Sequence, residues 1–175
     1  IADLRPTIAF SSRAMFLPRQ GNCLMEFATT NVANIAVEVE QVFPNNLVYF
    51  LTTGYGEYRG WDGGSRPYGR SIFIRDTTLD FRLNERLTTT VDLKGIVGPT
   101  AQGIFKVSAR NRDERWIGDS RYAMITDIGL SARISDDYLT VWANSLTDAG
   151  PLSGVTVTLL SRNNQTLVEG KTDSR

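Results

Sequence analysis

Runs of alternating apolar residues near the carboxyl end of the chain constrain its fold more than any other feature. Polar residues stand between them, and the apolar positions are Ile128, Leu130, Ala132 and Ile134, then Leu139, Val141 and Ala143, then Val155, Val157 and Leu159. A period of two is that of a half-buried β-strand. Residues 148–154 separate the runs and contain Gly150, Pro151 and Gly154, which suit a bend because proline presets φ and glycine accepts positive φ. The stretch predicts β-strands that belong to a sandwich.

The same alternation recurs through the first two thirds of the chain. Met25 and Phe27 share one face of a predicted strand at 24–30. Ile35, Val37 and Val39 then alternate with Glu38 and Glu40, which predicts an inward apolar face and an outward acidic face. Further strands are predicted at 6–10, 16–18, 72–74, 79–83, 87–93, 103–109 and 116–126, with a hairpin loop at 84–86. No helical period extends over about ten residues, so we expect an all-β chain with about seven strands in its first domain.

Residues 42–51 are too apolar for an exposed loop, and Pro44 predicts a short helical turn or a corner that caps the sandwich. The composition then changes at residues 52–70, where six glycines accompany four aromatic residues, Tyr55, Tyr58, Trp61 and Tyr68. Large aromatic side chains on an adaptable backbone are typical of interfaces, so this stretch is the candidate interaction loop. The alternative is a loop that packs on a neighbouring domain of a longer protein or is disordered.

The composition excludes several classes of function. Nineteen basic and nineteen acidic residues balance, so we expect no nucleic-acid partner. No apolar run approaches the ~20 residues of a membrane-spanning helix. The chain has no histidine, which excludes Ser-His and Cys-His nucleophile pairs and histidine-bearing zinc sites, and no calcium-loop spacing occurs. We therefore predict no catalytic residue, no cofactor and no metal.

Four motifs in the last third resemble the opening of a macroglobulin (MG) domain of bacterial alpha-2-macroglobulins. They are DIGL at 127–130, LTVWANSL at 139–146, GPLSGVTVTL at 150–159 and GKTD at 170–173. A looser resemblance to the MG domain that precedes it in these proteins rests on short motifs, namely PTIAF at 6–10, FLP at 16–18, TNV at 30–32, VEV at 37–39 and NLVYFL at 46–51.

The resemblance implies tandem antiparallel β-sandwich domains of the immunoglobulin and fibronectin type. We place the first MG-like domain at residues 1–122 and the amino-terminal part of a second, incomplete one at 123–175. A half domain has strands without partners, so we expect residues 127–175 to self-associate or to fray.

For the parent protein the resemblance implies a large periplasmic protease inhibitor, commonly anchored to the inner membrane by a lipid. Such a protein lets a protease cleave a bait region and then collapses around it, and it has a link to cell-wall synthesis through a neighbouring penicillin-binding protein. In this chain the implied role is that of scaffold, with target proteases and neighbouring MG domains as partners.

Cys23 and Glu26 were compared with the thioester motif of that family. The motif is Cys-x-Glu-Gln, whose glutamine acylates the cysteine sulfur three positions before it, and this chain has Glu26 at the glutamine position. A carboxylate does not replace that amide, so we expect a structural cysteine.

Two other functions remain open at this point. One is an adhesin or carbohydrate-binding module that uses the aromatic loop. The other is a carboxylate glycosidase, which needs two acids across a cleft at ~5–10 Å. The candidate acids lie in or near predicted loops and are Asp62, Asp76, Asp80, Asp113, Glu114, Asp136 and Asp137.

Overall fold

The computed structural model describes residues 2–11, 16–52 and 68–174. It consists of β-strands with a few short helices. The strands are β1 (Thr7–Phe10), β2 (Phe16–Leu17), β3 (Leu24–Thr30), β4 (Asn34–Val42), β5 (Gly69–Thr78), β6 (Arg86–Asp92), β7 (Gly103–Asn111), β8 (Gly118–Ile125), β9 (Ile128–Ile134), β10 (Leu139–Ser145), β11 (Thr156–Leu160) and β12 (Thr166–Lys171). The helices are a 3₁₀ turn (Pro44–Asn46), α1 (Leu47–Thr52) and α2 (Leu93–Val97).

The first unit, β1–β8, is a sandwich of two sheets. One sheet has the order β1-β3-β6 and the other the order β2-β8-β7-β4-β5. All neighbouring strands are antiparallel except β2, which pairs with β8 in parallel over Phe16 and Leu17. The predicted all-β sandwich fold is confirmed, and the predicted helical turn after residue 42 is present as the 3₁₀ turn and α1.

The core lies between the two sheets and follows the predicted alternation. Met25 and Phe27 point inward from β3, and Val37 and Val39 point toward them from β4. Val107 on β7 is fully buried as well. Apolar burial on this scale is the main stabilising contribution to a β-sandwich. The inward residues of β3, β4 and β7 therefore position everything else in the first unit.

The predicted hairpin around residues 84–86 is wrong. β5 pairs with β4, whereas β6 pairs with β3, so the chain crosses from one sheet to the other between them. The predicted strand at 79–83 is part of this crossing. Leu79 still packs against the core, but Leu83 is exposed. Alternation in this stretch therefore reflects one anchoring side chain and not a strand.

The second unit consists of two hairpins, β9–β10 and β11–β12. β9, β10 and β11 lie where the alternation predicts strands, whereas β12 lies beyond the predicted runs. The turn between β11 and β12 contains Asn164 at φ 65°. Few of its side chains are buried: Ala143 is, whereas Leu130 and Ile134 are largely exposed. The division at residues 122 and 123 stays a prediction. β8 continues across it to Ile125, so the connector between the units is Thr126 and Asp127.

No helix among the described residues has the length and hydropathy needed to cross a membrane.

Gly69 begins β5 where the backbone of β4 comes closest. A Cβ atom at this position would overlap the carbonyl oxygen of Gln41, which belongs to the neighbouring strand and cannot move aside without breaking the ladder. We expect Gly69→Ala to lower the free energy of unfolding by about 1–3 kcal/mol, as overpacking does. Urea unfolding measures the change. Gly170→Ala is the matched control, because Gly170 also lies in a strand and has nothing within 4 Å of the added atom. Equal effects of the two substitutions would contradict the close approach.

Candidate functional site

The outer face of the five-stranded sheet is where the candidate interaction loop leaves and rejoins the fold. On this face the register places Glu40 of β4 opposite Lys106 of β7, and Lys106 opposite Tyr122 of β8. Residues at alternate positions of the same strands point into the core. The central strands are buried on both sides. The other sheet covers their inner side, and on their outer side Glu40 and Lys106 are buried as well.

Glu40 and Lys106 form a buried ion pair on this face. The Lys106 Nζ atom lies 3.7 Å from the Glu40 Oε2 atom, and the two side chains are 9% and 2% exposed for Lys106 and Glu40 respectively. Burial lowers the pKa of the Lys106 ammonium, and the facing Glu40 carboxylate partly opposes that shift. Glu40 points outward, as the alternation predicts, but the outer face does not expose it to solvent here, because its side chain is buried. The pairing depends on strand register between distant segments, so no local sequence signal indicates it.

An aromatic cluster lies beside the ion pair. The ring of Phe50, on α1, meets the ring of Tyr122 edge-on with centroids 4.8 Å apart and the ring of Tyr68 at 6.4 Å. Val42 and Ile104 complete the buried part of the cluster. Edge-to-face pairs add to the area that the rings bury. The cluster holds α1 on the sheet and so positions the start of the candidate interaction loop.

Tyr68 is the one residue of the candidate interaction loop among Tyr55, Tyr58, Trp61 and Tyr68 that the structure describes; the other three lie outside the described residues. Its carbonyl oxygen accepts hydrogen bonds from the Phe43 backbone N at 2.8 Å and from the Asn46 Nδ2 at 3.4 Å. Tyr68 is therefore an anchor at the end of the loop. The interaction role of the loop stays a prediction.

Two of the candidate acids for a glycosidase pair, Asp76 and Asp113, make ordinary surface contacts. Asp76 binds Arg112, with 2.8 Å between carboxylate oxygen and guanidinium nitrogen. Asp113 accepts a hydrogen bond from Asn34. A surface depression of about 530 Å³ has one acid in its lining, Asp92. Asp62 lies outside the described residues. Over residues 2–11, 16–52 and 68–174, no cluster of three or more potential ligands is placed to hold a metal ion.

Cys23 lies in the loop between β2 and β3, and its side chain is buried. Its thiol contacts the Pro18 carbonyl oxygen at 3.5 Å. Burial raises the pKa of the thiol; Lys94 works against that shift, and Asp92 and Asp127 add to it. The thiolate, which is the reactive form, is thus disfavoured here. Glu26 is exposed on β3.

Comparison with known protein families supports the resemblance in the second unit. The family model described as bacterial alpha-2-macroglobulin MG3 domain matches residues 125–175. Two curated relatives align along nearly the whole chain. The alpha-2-macroglobulin of Xylella fastidiosa strain Temecula1 is 25% identical over 98% of this chain and 11% of its own length. That of Escherichia coli K12 is 26% identical over 99% of this chain and 11% of its own length.

Among solved structures, the crystal structure of native alpha-2-macroglobulin from Escherichia coli spanning domains NIE-MG1 is similar to this chain with a TM-score of 0.70. The alignment covers 99% of this chain and 86% of that one at 24% identity, so the likeness is one of fold. The chain spans about a tenth of the length of the curated relatives that it matches.

Substitution of the buried Glu40–Lys106 pair tests how much the pair contributes to stability on the outer face. We expect Lys106→Met to lower the free energy of unfolding by about 3–5 kcal/mol, because it removes the positive charge that faces the buried Glu40 carboxylate. The double variant Glu40→Leu/Lys106→Met removes both charges, and replacement of a buried pair by apolar groups is often neutral or stabilising. We therefore expect it to be more stable than the single variant. Urea unfolding of the two variants and of the unaltered chain measures this.

The exposed pair Arg82–Glu85 provides the control, since its side chains are 81% and 63% exposed. Arg82→Met should change stability by less than about 1 kcal/mol. A Lys106→Met variant as stable as Arg82→Met would contradict the expectation that the buried Glu40 carboxylate depends on Lys106.

Proposed function

We propose that this chain is a macroglobulin-domain fragment of the bacterial alpha-2-macroglobulin family and that its role is that of a scaffold. The comparisons support the family. The observation that carries the proposal is the extent of the match. Sequence relatives align over 98% and 99% of the chain, so both units occur together and in the same order in those proteins. A single shared domain would match only one unit.

The architecture suits a scaffold. A sandwich with a continuous core between two sheets is rigid, and it presents its outer faces and loops to neighbours. Two contacts on the outer face are structural: Lys106 pairs with Glu40, and the ring of Tyr68 packs on the ring of Phe50. We propose that the chain contributes no catalytic group and that it acts by holding neighbouring MG domains in place.

The longer protein that carries this chain would be a protease inhibitor of the alpha-2-macroglobulin type. It would stand in the periplasm, anchored to the inner membrane, and would trap a protease after the protease cleaves a bait region. Target proteases and neighbouring MG domains would be its partners, and a penicillin-binding protein would link it to cell-wall synthesis. The basis of these statements is the family relation.

Protease trapping can be tested by comparing the longer protein with this chain alone. Trypsin would be mixed with each, and its activity measured on a protein substrate and on a small peptide substrate. We expect the longer protein to protect the protein substrate and to leave cleavage of the peptide largely unchanged, because a trapped protease keeps an open active site. This chain alone should protect neither, because a scaffold has no inhibitory site.

The two outcomes that oppose the proposal are distinct. Protection by this chain alone would assign the inhibition to the chain itself and remove the scaffold role. Equal cleavage of both substrates with and without the longer protein would remove the inhibitor role. Trypsin inactivated by a covalent active-site reagent is the control for loss of signal that does not depend on cleavage.

Self-association is expected of this chain in isolation, through the second unit. Leu130 and Ile134 lie on one face of β9 and are 64% and 82% exposed, and on β12 Leu167 is 62% exposed. Apolar side chains and strand edges exposed together favour pairing with another copy. We expect sedimentation velocity to give a mean mass that rises with concentration. Leu130→Lys/Ile134→Lys should abolish the rise.

Ile74→Lys is the matched control, because Ile74 is 67% exposed on β5 of the first unit. It should leave the association unchanged. A concentration-independent monomer with sharp NMR signals from β9–β12 would contradict the expectation.

A further inference from the structure

The connector between the two units is short and is attached on both sides. β8 ends at Ile125 and β9 begins at Ile128, so only Thr126 and Asp127 lie between them. The Thr126 backbone N donates to the Leu17 carbonyl oxygen at 3.2 Å, and the Thr126 Oγ1 accepts from the Ile128 backbone N at 3.1 Å. The chain therefore leaves the first unit at the end of β8, next to β2, and β9 begins after two residues.

Asp127 binds both units with different atoms. Its carboxylate accepts a hydrogen bond from the Arg19 backbone N at 2.9 Å through Oδ1, and the Arg19 Nε lies 2.8 Å from Oδ2. Its carbonyl oxygen accepts from the Leu146 backbone N at 2.8 Å, at the end of β10. The Asp127 side chain thus binds the first unit, whereas its main chain is hydrogen-bonded to the second.

The other half of this contact, Arg19, is held in place by the first unit. The Lys94 Nζ on α2 donates to the Arg19 carbonyl oxygen at 3.0 Å and lies 3.4 Å from the Gly21 carbonyl oxygen. The Cys23 carbonyl oxygen accepts from the Leu93 backbone N at 3.1 Å. The loop of residues 18–23 is therefore fixed to α2 before Asp127 reaches it. Because the loop already holds Arg19 in place, its contact with Asp127 costs less conformational entropy than contact with a mobile arginine would.

Apart from this contact, one other side-chain hydrogen bond joins the two units across the described ranges. The Asn164 Nδ2, in the β11–β12 turn, donates to the Asn45 carbonyl oxygen at 2.8 Å. It is exposed, so water competes for both groups. The Arg19–Asp127 contact combines a charge pair with a main-chain hydrogen bond and is the stronger of the two attachments.

We propose that Arg19 and Asp127 form a latch that sets the angle between the two units. When the latch is closed, the connector is held at both residues and the second unit follows the first. When it opens, the neutral hydrogen bonds of Thr126 and Asn164 are the remaining restraints among the described residues, and the second unit can turn more readily on the end of β8. Arg19 and Asp127 lie outside the core, and their side chains are 38% and 18% exposed, although the Asp127 Oδ2 atom itself is buried; the latch can therefore open without unfolding of the core. The proposal holds for this chain whether or not its parent traps proteases.

The chain contains its own reporter of the latch. Cys23 is its single cysteine, it is 4% exposed, and it lies in the same loop as Arg19. Alkylation of the thiol under native conditions requires this loop to lift, so its rate follows the population of the opened loop. We expect Asp127→Ala to raise the alkylation rate about tenfold, which corresponds to ~1.4 kcal/mol of opening free energy. Because Asp127 also raises the thiol pKa, the rate constants are compared per thiolate, from the pH dependence of alkylation in each variant. Arg19→Gln keeps the backbone N and should have a smaller effect in the same direction.

The angle between the units needs a separate measurement, since loop opening alone would also expose Cys23. Residual dipolar couplings give one alignment tensor for each unit. We expect the two tensors to coincide in the unaltered chain and to differ in Asp127→Ala. Asp136→Ala is the matched control, because Asp136 is an exposed acid in the bend between β9 and β10. It should change neither the tensors nor the alkylation rate.

The results that would overturn the latch are specific. Coinciding tensors in Asp127→Ala would show that the angle does not depend on the contact. Different tensors in the unaltered chain would show that the units are not latched at all. Far-UV circular dichroism checks that the variants remain folded, and if Asp127→Ala does not fold, Arg19→Gln carries the same comparison.

Discussion

The contact of the two sheets across the core is the constraint on which the rest of the first unit depends. Phe27 from one sheet and Val39 and Val107 from the other are fully buried where they meet. Burial of such side chains contributes about 1.5–3 kcal/mol each, and it is gained only if every strand keeps its register. The loops, α1 and the connector take their positions from these strands. This is why a chain with few short helices can still present fixed surfaces.

Alternation in the sequence predicted the faces of strands well and their partners poorly. In β3 and β4 the inward side chains follow from the period of two alone, because one face of each strand meets the core. Residues 79–83 carry the same period, yet they cross from one sheet to the other. A period of two states which side chains share a face. It does not state whether a neighbouring strand is there to pair, which depends on residues far away in the chain.

Glu40 illustrates the same limit on the outer face. In the sequence it continues the row of acids that begins with Glu38, and an acid in such a row is ordinarily solvated. It is buried because β7 brings Lys106 opposite it and because this side of the sheet is also covered. Desolvation of the two charges is costly, and their mutual attraction offsets part of it. A buried pair of this kind tolerates few other registers, so it favours the observed pairing of β4 with β7 over shifted ones.

In the second unit, strands with alternating apolar residues form although few of those residues are buried. Three of its strands, β9, β10 and β11, were predicted from alternation, and they form, but the apolar side chains of β9 and β12 are mostly exposed. The sequence of a strand decides which side chains share a face, whereas burial of that face requires another element to pack on it. The order of this unit rests on main-chain hydrogen bonds within its two hairpins, and its placement rests on Asp127 and Asn164. Two small contacts can orient a unit of this size because the connector between the units is only two residues long. Orientation in this chain is therefore decided by polar contacts at the junction, and stability by the apolar core of the first unit.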